Sequence, residues 1–253
     1  MRMGIISGHS IMDVADSWES LDIETPYGSV ELLFSKIDGK EVVFLNRHGK
    51  EANIPPHMLN YRANIHALKV SGVDGIISIG TVGSLKPSIK PGDILIPDDF
   101  IDFTKSRIYT FFDNQRVHID MSKPFCPSIR EVLINCCSRL GIDHHPKGVY
   151  LATEGPRLET AAEIKLFSNV ADVVGMTIVP EVILAREKEM CYASLCLVCN
   201  MAAGLQKYLS ADEIKDIVED KKGLLIKILK EVIRDFPIDR NCKCREALKG
   251  ARI

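Results

Sequence analysis

Apolar residues along this chain arrive in short, dense runs. Met3–Ser7, Val30–Phe34, Val42–Asn46, Gly75–Ile79, Ile94–Pro97, Val149–Thr153 and Tyr192–Cys199 predict strands. Several of these runs are nearly all apolar, as expected for strands covered on both faces. Elsewhere the period lengthens to that of a helix. Pro56 to Gly72 predicts one helix, with Leu59, Ala63, His66, Ala67 and Val70 on a face. Ser210 to Phe236 predicts a longer one, through Ile214, Ile217, Val218, Leu225, Ile228, Leu229 and Val232. Ser210-Ala-Asp-Glu213 and Thr160-Ala-Ala-Glu163 read as capping boxes, in which hydroxyl and carboxylate satisfy each other's backbone amides. No internal repeat, low-complexity tract or linker interrupts the pattern. Strands alternating with helices in this way predict one α/β domain over residues 1–253, with 237–253 as a C-terminal tail.

Composition narrows the picture by exclusion. With 253 residues and 46% hydrophobic content, the chain can bury a sizeable core. A formal net charge of −2 gives no basic excess for nucleic acid or an anionic membrane. The opening run MRMGIISGHS is too short for a signal peptide or a membrane span, so a cytoplasmic location is expected. Eight cysteines form no CxxC…CxxC pattern, and seven histidines supply no HExxH. No metal is expected from these spacings. Most of the cysteines read as small buried hydrophobes.

The chemistry lies where apolar runs end, which in open α/β sheets is where ligands bind. Arg47-His48-Gly49 follows Val42–Leu45, and Gly80-Thr81-Val82-Gly83-Ser84 follows Ile76–Ile79. Thr153-Glu154-Gly155-Pro156-Arg157 follows Val149–Ala152, and Asn200 closes the longest run. Gly, Asn and Thr are also ordinary turn residues. Four such ends coinciding point to a site for an anion and a polar heterocycle. Spacing and composition stop at an α/β enzyme with a small anionic or phosphate-containing ligand.

At these residues the sequence resembles the methylthioadenosine phosphorylase and purine nucleoside phosphorylase family. The resemblance is carried by RHGKEANIPPHMLNYRANIHALK (47–69), GTVGSLKPSIKPGDILIPDDFID (80–102), and TEGPRLETAAEIKLF with MTIVPEVILAREKEMCYASLCLVCNMAAG (within 153–204). It implies a mixed, partly barrel-like sheet flanked by helices, assembled as a homotrimer or a dimer of trimers. It also implies phosphorolysis of a nucleoside to free base and pentose-1-phosphate, with inorganic phosphate as co-substrate and no cofactor. Residue by residue, Arg47 and Thr177 resemble phosphate ligands, with Gly80 and Thr81 adding amide and hydroxyl donors. His48 matches a histidine beside phosphate and ribose, and Met176 the methionine under the ribose. Glu159 matches the glutamate on the N1–H edge of a 6-oxopurine. Asn200 matches the residue on N7 and the 6-substituent, and with His48 it is expected to act in catalysis. Members acting on adenine typically carry Asp at that position, and an amide can donate to O6 where an ionised carboxylate cannot.

Two departures shape the expectation. Where the family usually places a phosphate-binding hydroxyl, this chain has Ser7-Gly8-His9-Ser10. A His9 imidazolium, or Ser10 after a register shift, would then meet the phosphate; a variant using water as nucleophile, or a catalytically impaired nucleoside-binding protein, stays open. Where members cleaving inosine carry a His toward the 5′-hydroxyl, this chain has Ala211, near Ile214. A small apolar lining suits a 5′-methylthio or 5′-deoxy group. Together these residues predict 5′-methylthioinosine or another 6-oxopurine nucleoside as substrate, with 5′-methylthioadenosine as the alternative. Cys242-Lys243-Cys244 resembles a Cys-x-Cys that forms a strained disulfide in some archaeal members; pairing of Cys137 with Cys196 or Cys199 is also conceivable.

Overall fold

The computed structural model describes residues 1–9, 11–237, 239 and 241–253. Ser10 lies outside the described residues. In chain order the first half comprises β1 (Arg2–Ser7), β2 (Glu19–Ile23), β3 (Val30–Ile37), β4 (Lys40–Asn46), α1 (Tyr61–Val70), β5 (Val73–Ser84), β6 (Ile94–Leu95) and β7 (Asp99–Phe103). The second comprises α2 (Pro127–Arg139), β8 (His144–His145), β9 (Val149–Thr153), α3 (Ala161–Phe167), β10 (Val173–Gly175), α4 (Ile178–Glu187), β11 (Cys191–Met201) and α5 (Ala211–Asp235).

All the strands join one mixed sheet, in the order β2-β3-β4-β1-β5-β10-β9-β7, with β11, β6 and β8 branching from β5. The fork sits on β5 because that strand is twelve residues long and changes neighbours along its length. One edge pairs with β11 from Gly75 to Ser84. The other pairs with β1 as far as Ile79, then with β10 from Gly83. Between those ladders, Gly80, Thr81 and Val82 keep one edge unpaired. The run expected to end at Ile79 thus continues as strand to Ser84, and Gly80–Ser84 is not a turn. The open edge at Gly80–Val82 comes from the parting of β1 and β10.

Helices cover both faces. α5 buries Leu225, Ile228, Leu229, Val232 and Ile233 against α2 and β11, much as its periodicity predicts. Its cap is half of the expected box: Ser210 Oγ accepts from Glu213 N–H at 3.2 Å. The Glu213 carboxylate accepts instead from Gln206 Nε2 at 2.7 Å. The Thr160–Glu163 box at α3 is complete. In α1 the expected face is wrong at its end, since Val70 is 57% exposed. The buried residues are Tyr61, Ala63, Asn64, Ile65, Ala67 and Leu68, because the helix lies against both α4 and the sheet. α4 escaped the sequence reading because it is buried nearly all round and has no polar face to set a period. Among the described residues, no helix is long and apolar enough to cross a membrane.

Candidate active site

Arg47 follows β4, where its N–H bonds Ser7 O at 2.9 Å and extends the β1–β4 ladder by one step. Its side chain turns inward and is 2% exposed. Nε donates to Glu181 Oε1 at 2.5 Å and Nη2 to Glu181 Oε2 at 3.1 Å. Nη2 also reaches Ser78 Oγ at 2.6 Å, and Nη1 reaches the Ile79 carbonyl at 3.1 Å. Tyr192 OH donates to the same carboxylate at 2.7 Å. Burial works against the Arg47 charge, but Glu181 beside it outweighs that and raises its pKa above the ordinary value. Four of five guanidinium N–H groups are therefore spent internally. The remaining one, on Nη1, is on the atom nearest Gly8, so Arg47 offers one donor and a fixed positive field.

Two histidines flank it. His48 Nδ1 lies 2.6 Å from Ile54 O, which makes Nδ1 the protonated nitrogen and leaves Nε2 as acceptor. Nε2 packs on Gly8, where a Cβ would sit 2.8 Å away, so only glycine fits. Burial lowers the His48 pKa. His9 is pushed down to about 4, by burial first and then by Arg47 and His48. Its loop is fixed by Ser7 Oγ, which accepts from His9 N–H at 3.1 Å and donates to His9 O at 2.9 Å. The expected His9 imidazolium is thus a neutral ring at pH 7, because burial, and then the Arg47 charge beside it, disfavours the charged form. His9 lines both the site pocket and a groove along α5, so it forms a wall of the pocket without filling it.

The floor comes from β10 and the start of α4. Thr177 is the N-cap of α4, yet its hydroxyl makes no cap bond. Its N–H is held by Tyr150 OH at 3.2 Å. The Tyr150 hydroxyl packs so closely on Gly175 that a side chain there would collide with it. Met176 lies over Gly155, which has φ +66° and would place a Cβ 2.5 Å from the methionine sulfur. Arg107 ties this floor to the end of β9. Its Nη1 donates to the carbonyls of Met176 and Val179, each at 2.6 Å. Its Nη2 donates to those of Thr153 and Glu154, at 3.2 and 2.8 Å.

At the opposite end of the pocket lie Glu159 and Asn200. Glu159 Oε1 accepts from Thr153 Oγ1 at 2.6 Å, and Oε2 has no partner among the described residues. Asn200 follows a register shift between Val198 and Asn200, a bulge that aims both Cys199 and Asn200 at the pocket. Asn200 Nδ2 donates to Met201 O at 2.9 Å, leaving its Oδ1 and its second N–H. Gln206 then joins the end of β11 to α5: its Oε1 accepts from Met201 N–H at 2.8 Å, while its Nε2 holds Glu213. Leu209 and Ile214 form the apolar wall here. Ala211 does not; as the first residue of α5 it is exposed and outside the lining. Ile214 reaches the pocket one turn further into the helix, while Ala211 sits at its exposed start.

One pocket therefore gathers His9, Arg47, His48, Gly80, Thr81, Met176, Thr177, Glu159, Asn200 and Ile214 from seven parts of the chain. Sequence reading missed the residues behind them: Glu181, Tyr192, Tyr150 and Arg107. Glu181 left a signal, a lone carboxylate in the apolar run Ile178–Ala185. Arg107 left none.

The model of the phosphorylase superfamily matches residues 2–234, almost the whole length of the sheet and helices. The chain belongs to this superfamily. It is 47% identical to the probable 6-oxopurine nucleoside phosphorylase of Dictyoglomus turgidum, over 100% of this chain and 98% of the relative. It is 46% identical to the probable S-methyl-5′-thioinosine phosphorylase of Methanothermobacter thermautotrophicus, over 99% of this chain and 90% of the relative. A solved methylthioadenosine phosphorylase from an antarctic soil metagenomic library superposes with a TM-score of 0.93 at 34% identity, covering 99% of this chain and 92% of that one. Relatives named for methylthioadenosine and relatives named for 6-oxopurine or methylthioinosine substrates are thus both similar to this chain.

Proposed function

We propose that this phosphorylase cleaves 6-oxopurine nucleosides with inorganic phosphate, and that 5′-methylthioinosine is a preferred substrate. The observation that carries the reading is the polarity of the pocket: a cationic, amide-rich end at Arg47 and Gly80–Thr81, and a Glu159–Asn200 end shaped for a purine edge. Phosphate sits between Arg47 Nη1, the open edge of β5 and the Thr177 hydroxyl. Met176 underlies the ribose. A phosphate oxygen forms the bond to C1′ as the bond from C1′ to N9 breaks, and the electron pair leaves into the purine. The transition state resembles an oxocarbenium ion, so stabilisation is most useful at the departing base. Asn200 shares its remaining N–H between N7 and O6 as that charge develops, and Glu159 accepts the N1–H. His48, with Nδ1–H bound to Ile54 O, presents Nε2 as acceptor to a ribose hydroxyl. Leu209 and Ile214 receive the 5′-methylthio group.

The same reading includes a homotrimer or dimer of trimers. Exposed Met58 and Ile108 line a second groove beside the pocket, apolar surface of the kind that subunit contact covers. Light scattering tests the assembly. The function is tested by phosphate-dependent release of hypoxanthine from 5′-methylthioinosine against adenine from 5′-methylthioadenosine. Faster hypoxanthine release is expected. Faster adenine release overturns the base assignment, and release without phosphate overturns phosphorolysis.

A further inference from the structure

All eight cysteines are free thiols, and the disulfide expected between Cys242 and Cys244 is not formed. They divide into two kinds. Cys136, Cys137, Cys196 and Cys199 are packed in the hydrophobic clusters or the pocket wall, and burial pushes their thiols up to about 11 for the first two and about 12 for the others. The other four converge. The Sγ atoms of Cys126, Cys191, Cys242 and Cys244 all lie within 4.8 Å of one another, with the Cys191–Cys242 pair at 3.3 Å.

From this arrangement we propose a structural zinc site of four thiolates. A tetrahedral ion with metal–sulfur bonds of about 2.3 Å sets its sulfurs about 3.8 Å apart, inside the observed span. The ligands come from three places. Cys126 is the N-cap of α2, Cys191 opens β11, and Cys242 and Cys244 belong to the tail. Cys126 N–H bonds Tyr192 O at 2.7 Å, which locks the first two together.

The surroundings are built for anionic sulfur. Arg186 Nη1 donates to Cys244 Sγ at 3.2 Å, and is itself held by the carbonyls of Asp120 and Lys123. Such a donor favours a thiolate, yet thiolates this close repel one another unless a cation lies among them. A thiolate-preferring dication in tetrahedral geometry meets that need. One disulfide would use two of these sulfurs; the metal uses all four at once. Its role is to staple the tail to α2 and β11. Asn200 stands nine residues along β11 from Cys191, about 30 Å at strand rise, so the staple is remote from the chemistry.

The test is metal analysis of protein purified without chelator, with cobalt as a spectroscopic probe. One zinc per chain is expected. Cobalt exchange is expected to give a thiolate charge-transfer band and the intense visible bands of a tetrahedral four-sulfur site. The Cys242→Ser/Cys244→Ser double variant is expected to lose the ion and melt several degrees lower, while Cys137→Ser keeps it. The cobalt spectrum of the unmodified protein needs no variant to fold. Fully reduced protein that retains neither ion after gel filtration overturns the proposal. So do iron in place of zinc, and a disulfide among the four in protein isolated anaerobically.

Discussion

The two ends of the pocket are built differently. At the proposed phosphate end, the polar groups hang from strand ends and are fixed by buried partners: Arg47 by Glu181, Ser78 and the Ile79 carbonyl, and Glu181 in turn by Tyr192. At the proposed base end, Glu159 is held by one bond from Thr153, and Asn200 by one bond to its neighbour's carbonyl. The difference teaches where each function can change. A buried, fully paired network cannot lose a member without damaging the fold. Singly tethered groups facing a cavity can be exchanged with little structural cost, so base preference is the more evolvable half.

Substitution at Glu181 gives the largest contrast. Glu181→Ala strands Arg47 as an unpaired buried cation and is expected to destabilise the protein by about 3–5 kcal/mol. Glu159→Ala, read by the same denaturant titration, is expected to cost less than about 1 kcal/mol. Equal losses would erase the distinction between the two ends.

Next comes Asn200→Asp. It removes the donor to O6 and places a carboxylate against it, so kcat/KM for 6-oxopurine nucleosides is expected to fall about 10- to 100-fold, the worth of a charge-assisted hydrogen bond. Activity on adenine nucleosides should fall less or rise. A parallel loss on both bases would make Asn200 a structural residue.

A smaller effect is expected from pH. The His9 pKa in the folded protein, about 4, lies below its ordinary value of 6.5, because of burial and then Arg47 and His48. The unfolded chain therefore binds more protons between those values, and stability rises with pH across that window. The contribution is complete above about 6.5 and is lost as pH falls through about 4. Melting temperatures from pH 4 to 7 should climb less steeply in His9→Ala. A bound dianion reverses the balance and favours protonated His9. Sulfate, whose charge is constant here, should bind on its own several-fold more tightly at pH 6 than at pH 8, and His9→Ala should flatten that difference.

The smallest change is expected at Ile214. Ile214→Ser, facing the 5′ position, should narrow the preference for 5′-methylthio over 5′-hydroxyl nucleosides by about 2- to 10-fold, or roughly 0.5–1.5 kcal/mol. The same ratio measured for Ala211→Ser should not move, since Ala211 lies outside the lining.

Much of the site was legible in sequence because its groups interrupt apolar runs. Arg47, Thr81 and Asn200 are polar residues beside stretches that are otherwise buried. Thr177, Glu159 and Met176 came through resemblance, since nothing in their local pattern marks an anion ligand, a purine edge or a ribose floor. Ala211 was misplaced because sequence alone does not show where along the helix the pocket wall begins: Ile214, one turn into α5, lines the pocket, whereas Ala211 at the helix start lies beyond it.

By itself the sequence determined the strand and helix types of the longest elements, the superfamily and several of the polar residues that end apolar runs beside the pocket. Each of those is written in local periodicity or in a motif of neighbouring residues. Tertiary structure alone decided three things. It left the edge of Gly80–Val82 open, because β1 and β10 part along β5. It set Glu181 beneath Arg47 across 134 positions. It drew Cys126, Cys191, Cys242 and Cys244 into one cluster. These depend on contacts between distant segments, formed when the sheet forks and the tail packs back, and no local pattern encodes a distance between residues so far apart in the chain.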